Sequence, residues 1–492
     1  MTLLTADDGP VLRVAGPSRL PESVSGADSA VALVGPTGVP AVEPLVMVTL
    51  GGRTAFHARC PTDRIDEIAT RVGDAGDVTA GDPDDVRDHE PGRSRLPTPD
   101  LPGLRTGVRD ALGACGWRRP TDPDDHEAAG GFTDPDPETV MEVGAELDGR
   151  GWGDLRQDAP LAEPWRDVRE GDGDPAVVVN AHGNPADALL LESAPLEVLD
   201  GAAGLAGSLG AEEVIVYASS DDERAVQTAR EAAANYPAPS VPVDVVTGPA
   251  TYRAAEPSMA IEAIEGNHRL EARIRPPDLD AVGLHGRPTV VHTPRTLAQL
   301  SVALREGAPP ETRALSVTGD VDHPATVEVP ETETLETVVD AAAVAGELKA
   351  VSVGGQFGGV TDDLSVGVAP AELGAAQLGS DGVVRVLSAD RCVVEFVGQR
   401  TQLAAEENCG RCVPCREGTT QLAGLLREVY DGGYDPDAID ELIEVMTSSS
   451  ICAFGVQAGR PARTALSAFG DEFEAHADGR CPAGSCLEPL EA

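Results

Sequence analysis

The sequence predicts a multidomain α/β protein that ends in a helical bundle. Three observations predict it. The chain has 492 residues, too many for one core, so about three domains are expected. Short β-branched runs alternate with helical stretches along most of it. Its last part repeats apolar residues at helical spacing, and there the cysteines gather.

The first unit, 1–95, opens with strand-like runs such as "LVMVTLGG" (Leu45 to Gly52). "PTDRIDEIATRVGD" follows, with Pro61 suited to a first helical turn and Ile65, Ile68 and Val72 on one face. The charged, proline-rich stretch from Gly81 to Pro102 reads as a linker. Across 103–308, "AVVVNAHGN", "EEVIVYASS", "PVDVVTG" and "RPTVVHT" read as strands, with helices such as "DDERAVQTAREAAANY" and "TLAQLSVAL" among them. The stretch 312–375 reads strand, acidic turn, strand, helix, strand, glycine-rich loop, a β-grasp-like order. A helical domain is expected over 385–480 and a short tail over 481–492.

Charge narrows the function classes. Lys and Arg total 37 against 83 Asp and Glu, a net charge of −46, and the single lysine is Lys349. A surface so acidic repels nucleic acid and anionic lipid, and dense counter-ions would screen it. With few aromatics and almost no lysine, the chain reads as halophilic, built for a salt-loaded cytoplasm. No run of about 18 apolar residues occurs, and "MTLLTADDGPVLRVAG" lacks a basic segment followed by an apolar one, so a soluble cytoplasmic protein is expected. The 9 cysteines are too clustered for a secreted disulfide framework.

"ENCGRCVPCREG" holds Cys409, Cys412 and Cys415 at C-x2-C-x2-C spacing, which lets each thiolate reach a different corner of a cubane [4Fe-4S] cluster. A fourth ligand is required. In "TTQLAGLLREVYDGG" Leu422, Leu425, Leu426 and Val429 share a face, and in "DPDAIDELIEVM" so do Ile439, Leu442, Ile443 and Met446, with Asp435 as N-cap. Two antiparallel helices would return Cys452 to the loop. Four thiolates also suit zinc, which more usually takes them as two separated CxxC knuckles. Cys481 and Cys486 read as unligated, and the isolated Cys60, Cys115 and Cys392 as small buried apolar residues.

"ENCGRCVPCREGT", "SSSICAFG" and "FEAHADGRCPAGSC" resemble the C-terminal region of the NADH-binding flavoprotein subunit of complex I, and of related diaphorase subunits of NAD-linked hydrogenases and formate dehydrogenases. "ALGACGWRRPTDPDDHEAAGGF", "IEAIEGNHRLEARIRPP", "GLHGRPTVV" and "LKAVSVGGQFGGV" extend the resemblance more weakly over nearly the whole chain. The resemblance implies a thioredoxin-like N-terminal remnant, a flavin-type α/β domain binding FMN and NAD, an SLBB-like β-grasp unit and a helical [4Fe-4S] domain. Cys409, Cys412, Cys415 and Cys452 take the family's cluster-ligand positions. Gly149, Arg150, Gly151, Asn180, Glu256 and Thr296 take positions of its FMN and NADH site.

That second site has diverged. The family's GRGGAGFPTGxKW reads "GRGWGDLRQDAPLAEPW" here, so Trp152 stands at a glycine and no lysine follows, although Arg156 offers a cation nearby. His182 and Gly183 replace acids, Glu256 precedes Pro257 where the family pairs two acids, and His292 and Thr293 replace paired asparagines. His182 and His292 read as hydrogen-bonded or solvent-exposed histidines, with no metal partners in spacing. Three functions compete: a diaphorase-type oxidoreductase subunit that oxidises NADH through FMN, a flavin-less relay or scaffold that has lost that step, or a zinc-stapled structure with no redox role. The implied partners are a thioredoxin-like [2Fe-2S] subunit and hydrogenase, formate dehydrogenase or quinone oxidoreductase subunits, which would hold the chain peripheral to a membrane.

Overall fold

The computed structural model describes residues 9–16, 30–237 and 241–486. The start of the chain, where no leader is expected, and the end of the 481–492 tail lie outside them. The described residues build three sheets and a helical bundle, with mixed α/β organisation.

The first sheet holds β1 (Val11–Ala15), β2 (Ala30–Val34), β3 (Leu45–Leu50), β4 (Arg53–His57) and β5 (Asp85–Asp88) in the order β2-β1-β3-β4-β5. Helix Thr62–Ala75 buries Ile65, Ile68 and Val72 against Leu12, Val14, Val46 and Val48. It stops where Gly76 turns left-handed (φ 62°) and its N–H bonds to Val72 O. The stretch expected to be a linker carries β5, paired antiparallel to β4. Its sequence, "DVRD", has no apolar alternation because it is an edge strand, and the pairing comes from backbone bonds to β4.

The second sheet is parallel throughout: β6 (Ala176–Asn180), β7 (Glu213–Ser219), β8 (Val243–Gly248) and β9 (Thr289–His292), ordered β8-β7-β6-β9. Helices such as Pro195–Leu209 and Pro294–Glu306 pack on it, which is why β6 and β9 are buried at every residue. All four carboxyl ends face one way, and the loops leaving them are where such sheets bind ligands.

The third sheet holds β10 (Thr312–Gly319), β11 (Ala325–Pro330), β12 (Leu348–Val353), β13 (Gly359–Thr361) and β14 (Val383–Ser388), ordered β11-β10-β14-β12-β13 with β10 and β14 parallel. This sheet runs past residue 375 into the stretch expected to be helical from 385. In "VVRVLS" the alternation of buried Val384 and Val386 with exposed Arg385 explains why. It shares a core with the first sheet, where Leu45, Met47 and Phe56 meet Leu315, Val327 and Val384.

The bundle follows: Val393–Glu407, Val413–Glu428, Pro436–Ser449, Ala453–Gln457 and Arg460–Ala477. Asp435 caps the third helix, its side chain accepting from Ala438 N at 3.1 Å. Leu422, Leu426, Ile439, Ile443 and Met446 are buried between the second and third helices. A Cβ on Gly418 would stand 2.5 Å from Met446, so the glycine sets how closely those helices approach.

Candidate functional site

The loop between the bundle's first two helices is held by side-chain bonds to backbone. Asn408 Nδ2 donates to Ala404 O and Ala405 O, and Asn408 Oδ1 accepts from Gly410 N at 3.0 Å. Gly410 takes φ 77°, and Arg416 Nη1 donates to its carbonyl at 3.0 Å. Cys409 and Cys412 lie on this loop and Cys415 one turn into the next helix. The helical hairpin brings Cys452, at the start of Ala453–Gln457, to the same place, where Cys409 and Cys452 both pack against Ala254, Met259 and Leu270.

Gly455 completes the nest, since a Cβ there would stand 2.8 Å from Cys415 Cβ. Cys415 is buried while the other three are half-buried. Burial first, then Cys412, Cys452 and Cys409, push the Cys415 thiol far up, and burial with Glu256 nearby pushes Cys452 up to about 12. Four soft donors this crowded disfavour bare thiolates and suit a cationic iron–sulfur core that neutralises them. The donor set fits a [4Fe-4S] cluster.

The cluster loop is anchored to the α/β domain. Glu407 Oε2 accepts from Tyr252 N at 2.7 Å, and its carbonyl accepts from Arg253 Nη1 at 2.8 Å. Tyr252 leads to the residues expected to hold FMN and NADH, whose polar groups are bonded to neighbouring protein groups, Arg150 and Thr296 to each other. Arg150 N donates to Thr296 Oγ1 at 2.8 Å, Arg150 Nε to Gln299 Oε1 at 2.9 Å, and its guanidinium pairs with Glu331. Gly149 N donates to Ala159 O at 3.2 Å. Asn180 Nδ2 donates to Gly153 O and Ala255 O at 2.9 and 2.8 Å. Glu256 caps its own helix through Ser258 N and Met259 N and pairs with Arg275.

Trp152 fills what remains. It is 5% exposed and stacks on Tyr252, ring centroids 4.5 Å apart and planes at 20°. Tyr252 meets Phe357 edge-on, and Phe357 meets Phe454. Gly151 (φ 82°) lies against the Arg295 guanidinium, itself buried between Asp187 and Asp381. Burial pushes both carboxyls up and Arg295 opposes it.

The replacement histidines are structural. His292 Nδ1 donates to Asp154 at 3.0 Å and its Nε2 accepts from Trp165 Nε1 at 2.9 Å. Asp154 also takes Thr296 Oγ1 at 2.8 Å. His182 bonds Pro249 O at 2.8 Å and stacks on Tyr217, and burial lowers its pKa. Arg156 is paired with Asp280.

Beside this knot a cavity of about 750 Å³ opens at the carboxyl ends of β6, β7 and β8. Its wall includes Glu43, Glu192, Asp221, Asp222 and Glu407 with Arg224, a charge balance that repels phosphate. None of the six residues expected to bind FMN and NADH lines it. In this arrangement the polar groups of those six residues are paired and the Trp152 ring lies over them, while the acidic cavity alongside is lined by His182 and Gly183 from the same diverged site.

Sequence reading missed one cluster of donors. Cys392, expected to be an isolated small residue, lies with His476 and with Cys481 and Cys486, both expected to be unligated. Contacts across more than 80 residues of chain carry no periodic signal, although the spacing His476-x4-Cys481-x4-Cys486 is regular.

Comparison with known proteins places both regions. The family described as the NADH-ubiquinone oxidoreductase-F iron-sulfur binding region matches residues 395–476, and the Nuo51 FMN-binding domain matches residues 151–301. The F-type component of NADH-quinone oxidoreductase in Streptomyces coelicolor is 29% identical over 66% of this chain and 80% of its own. The second such component of Rhizobium meliloti is 28% identical over 73% of this chain and 95% of its own. The HoxS alpha subunit of the NAD-reducing hydrogenase of Cupriavidus necator is 29% identical over 69% and 60%. In fold, the chain is similar to a chain of an NAD+-reducing [NiFe]-hydrogenase crystal structure in the H2-reduced state, at TM-score 0.63 and 23% identity over 95% of this chain and 85% of that one.

Proposed function

We propose, for a chain that belongs to the family of NADH-binding flavoprotein subunits of complex I and the related NAD-linked hydrogenases, the role of an iron–sulfur electron-transfer subunit without a hydride step of its own. Cys409, Cys412, Cys415 and Cys452 hold the cluster. A [4Fe-4S] group supplies reversible one-electron transfer at a potential set by burial and by hydrogen bonds to its sulfurs. Around it the chain supplies a buried ligand in Cys415, a loop shaped by Asn408, and the Glu407 tie to the α/β domain. Val413, between Cys412 and Cys415, is 58% exposed and gives a neighbouring protein an apolar contact beside the cluster.

The observation that carries the flavin-free reading is the Trp152 ring lying on Tyr252. An isoalloxazine needs polar groups to orient it and an open face for NADH. Here Arg150, Asn180, Glu256 and Thr296 are spent on neighbours and the open face is covered. The match of 151–301 to an FMN-binding domain favours a second reading, a diaphorase in which Trp152 swings away and FMN enters.

In this account 1–95 is a thioredoxin-like remnant, 103–308 the former flavin domain, the SLBB-like β-grasp unit runs from 312 through β14, and the helical cluster domain follows. The acidic surface suits a halophilic cytoplasm. Electrons pass between neighbouring subunits of a complex, a thioredoxin-like [2Fe-2S] protein and a hydrogenase, formate dehydrogenase or quinone oxidoreductase component. Electron paramagnetic resonance tests the reading: dithionite should produce the signal of one reduced cubane cluster, and NADH should produce none. A cluster signal developing with NADH alone would sink it.

A further inference from the structure

Away from the four-thiol nest, a second set of soft donors meets where the bundle's first and last helices pack together. Cys392 precedes helix Val393–Glu407, and its Sγ accepts from Glu395 N at 3.3 Å. His476 stands in the last turn of Arg460–Ala477, and Cys481 and Cys486 bound the tight turn that follows. Cys486 Sγ is 3.3 Å from both Cys392 Sγ and Cys481 Sγ. His476 Nε2 is 3.1 Å from Cys486 Sγ and 3.3 Å from Cys392 Sγ. All four donor atoms lie within 4.8 Å of one another.

We propose that Cys392, His476, Cys481 and Cys486 form a second metal site, which holds one zinc ion. Three thiolates and an imidazole are a closed four-coordinate set of the kind structural zinc takes. The histidine is prepared for it: Nδ1 bonds the Glu472 carbonyl at 2.6 Å, so the proton sits on Nδ1 and the Nε2 lone pair faces the sulfurs. The ring is held edge-on by Tyr430, whose hydroxyl donates toward Cys486 Sγ at 3.8 Å.

The spacing favours one ion over a cluster, because a polynuclear core carries its terminal ligands on different irons and spreads them further apart. A Cys481–Cys486 disulfide would use two of the four donors and leave Cys392 and His476 facing it without purpose. Binding replaces three thiol protons, released to solvent, with one divalent cation.

The site's place in the fold gives its role. Helix Val393–Glu407, with 15 residues and so about 22 Å long, lies between Cys392 and the cluster loop. Zinc has no redox chemistry, so an ion there fastens the 481–486 turn to the start of the helix whose other end carries Cys409. The match to the iron-sulfur binding region, 395–476, leaves out Cys392, Cys481 and Cys486.

Metal analysis of the full chain, purified without oxygen or chelator, tests this. About one zinc per chain is expected beside the iron. Cys481→Ser and Cys486→Ser should each lower zinc affinity about tenfold or more while iron and visible absorbance stay at the parent level. Should either variant fail to fold, cobalt in the parent chain decides: intense d–d bands with sulfur-to-cobalt charge transfer support a tetrahedral thiolate site. A weak spectrum of hydrated cobalt, zinc retained when Cys481 and Cys486 are both serine, or a Cys481–Cys486 disulfide in the anaerobic protein overturns the proposal.

Discussion

Replacing Trp152 with alanine probes the feature on which the flavin-free reading turns. Trp152 is 5% exposed, so nearly the whole side chain, roughly 200 Å², is out of water. At about 25 cal/mol per Å² the burial contributes up to about 5 kcal/mol, and the stack on Tyr252 adds about 1 kcal/mol. Partial collapse of Tyr252, Phe357 and Phe454 into the space reduces the loss, so Trp152→Ala should cost about 3–5 kcal/mol. At roughly 2.1 cal/mol/K of unfolding entropy per residue, a chain of 492 residues loses about 3–5 °C of thermal midpoint for that cost. The assay is thermal unfolding in concentrated KCl of cluster-loaded protein, with Trp152→Phe as a companion that keeps most of the packing. A loss of less than about 1 kcal/mol in Trp152→Ala would show that the ring does not fill the site, because a packed ring of this size costs more than that to remove.

Asp154→Ala strips acceptors from His292 Nδ1, Thr296 Oγ1 and Arg156 N, and urea unfolding should record a loss of about 3 kcal/mol. His57 is buried with neither ring nitrogen bonded among the described residues, and burial, aided by Arg64 against Asp84 and Asp82, lowers its pKa to about 4. Between the ordinary value of 6.5 and 4 the unfolded chain therefore binds more protons, and stability falls as pH drops through that window, by about 3 kcal/mol when complete. The urea midpoint of His57→Phe should fall less from pH 7 to pH 4.5 than that of the parent. Cys415→Ser should drop iron from about four per chain and bleach the visible absorbance, whereas Cys60→Ser, in the first sheet's core, should leave both unchanged.

What the sequence made legible was what local chemistry encodes. The cluster loop could be read because three thiols lie within seven residues, and Cys452 because the intervening helices announce themselves by Asp435 and by the Leu422 and Ile439 faces. Strands β6, β7 and β9 were legible as continuous apolar runs because both faces are covered, and the edge strand β8 as a β-branched run ended by turn residues. β5 was hidden because an edge strand needs no apolar pattern, and β14 because its alternation follows a glycine-rich loop that looks like an ending. The Trp152 substitution was plain in the sequence, but only the structure gives the direction of its ring, toward Tyr252. Cys392 and His476 meet through the packing of the first and last helices of the bundle, which no spacing rule states.

The iron and flavin content of protein purified without oxygen in concentrated KCl distinguishes a cluster-bearing subunit without flavin chemistry from one that oxidises NADH. About four irons per chain, bound to Cys409, Cys412, Cys415 and Cys452, are expected, with flavin well below stoichiometric. The same iron with one FMN per chain would contradict the flavin-free reading and restore NADH oxidation to this subunit.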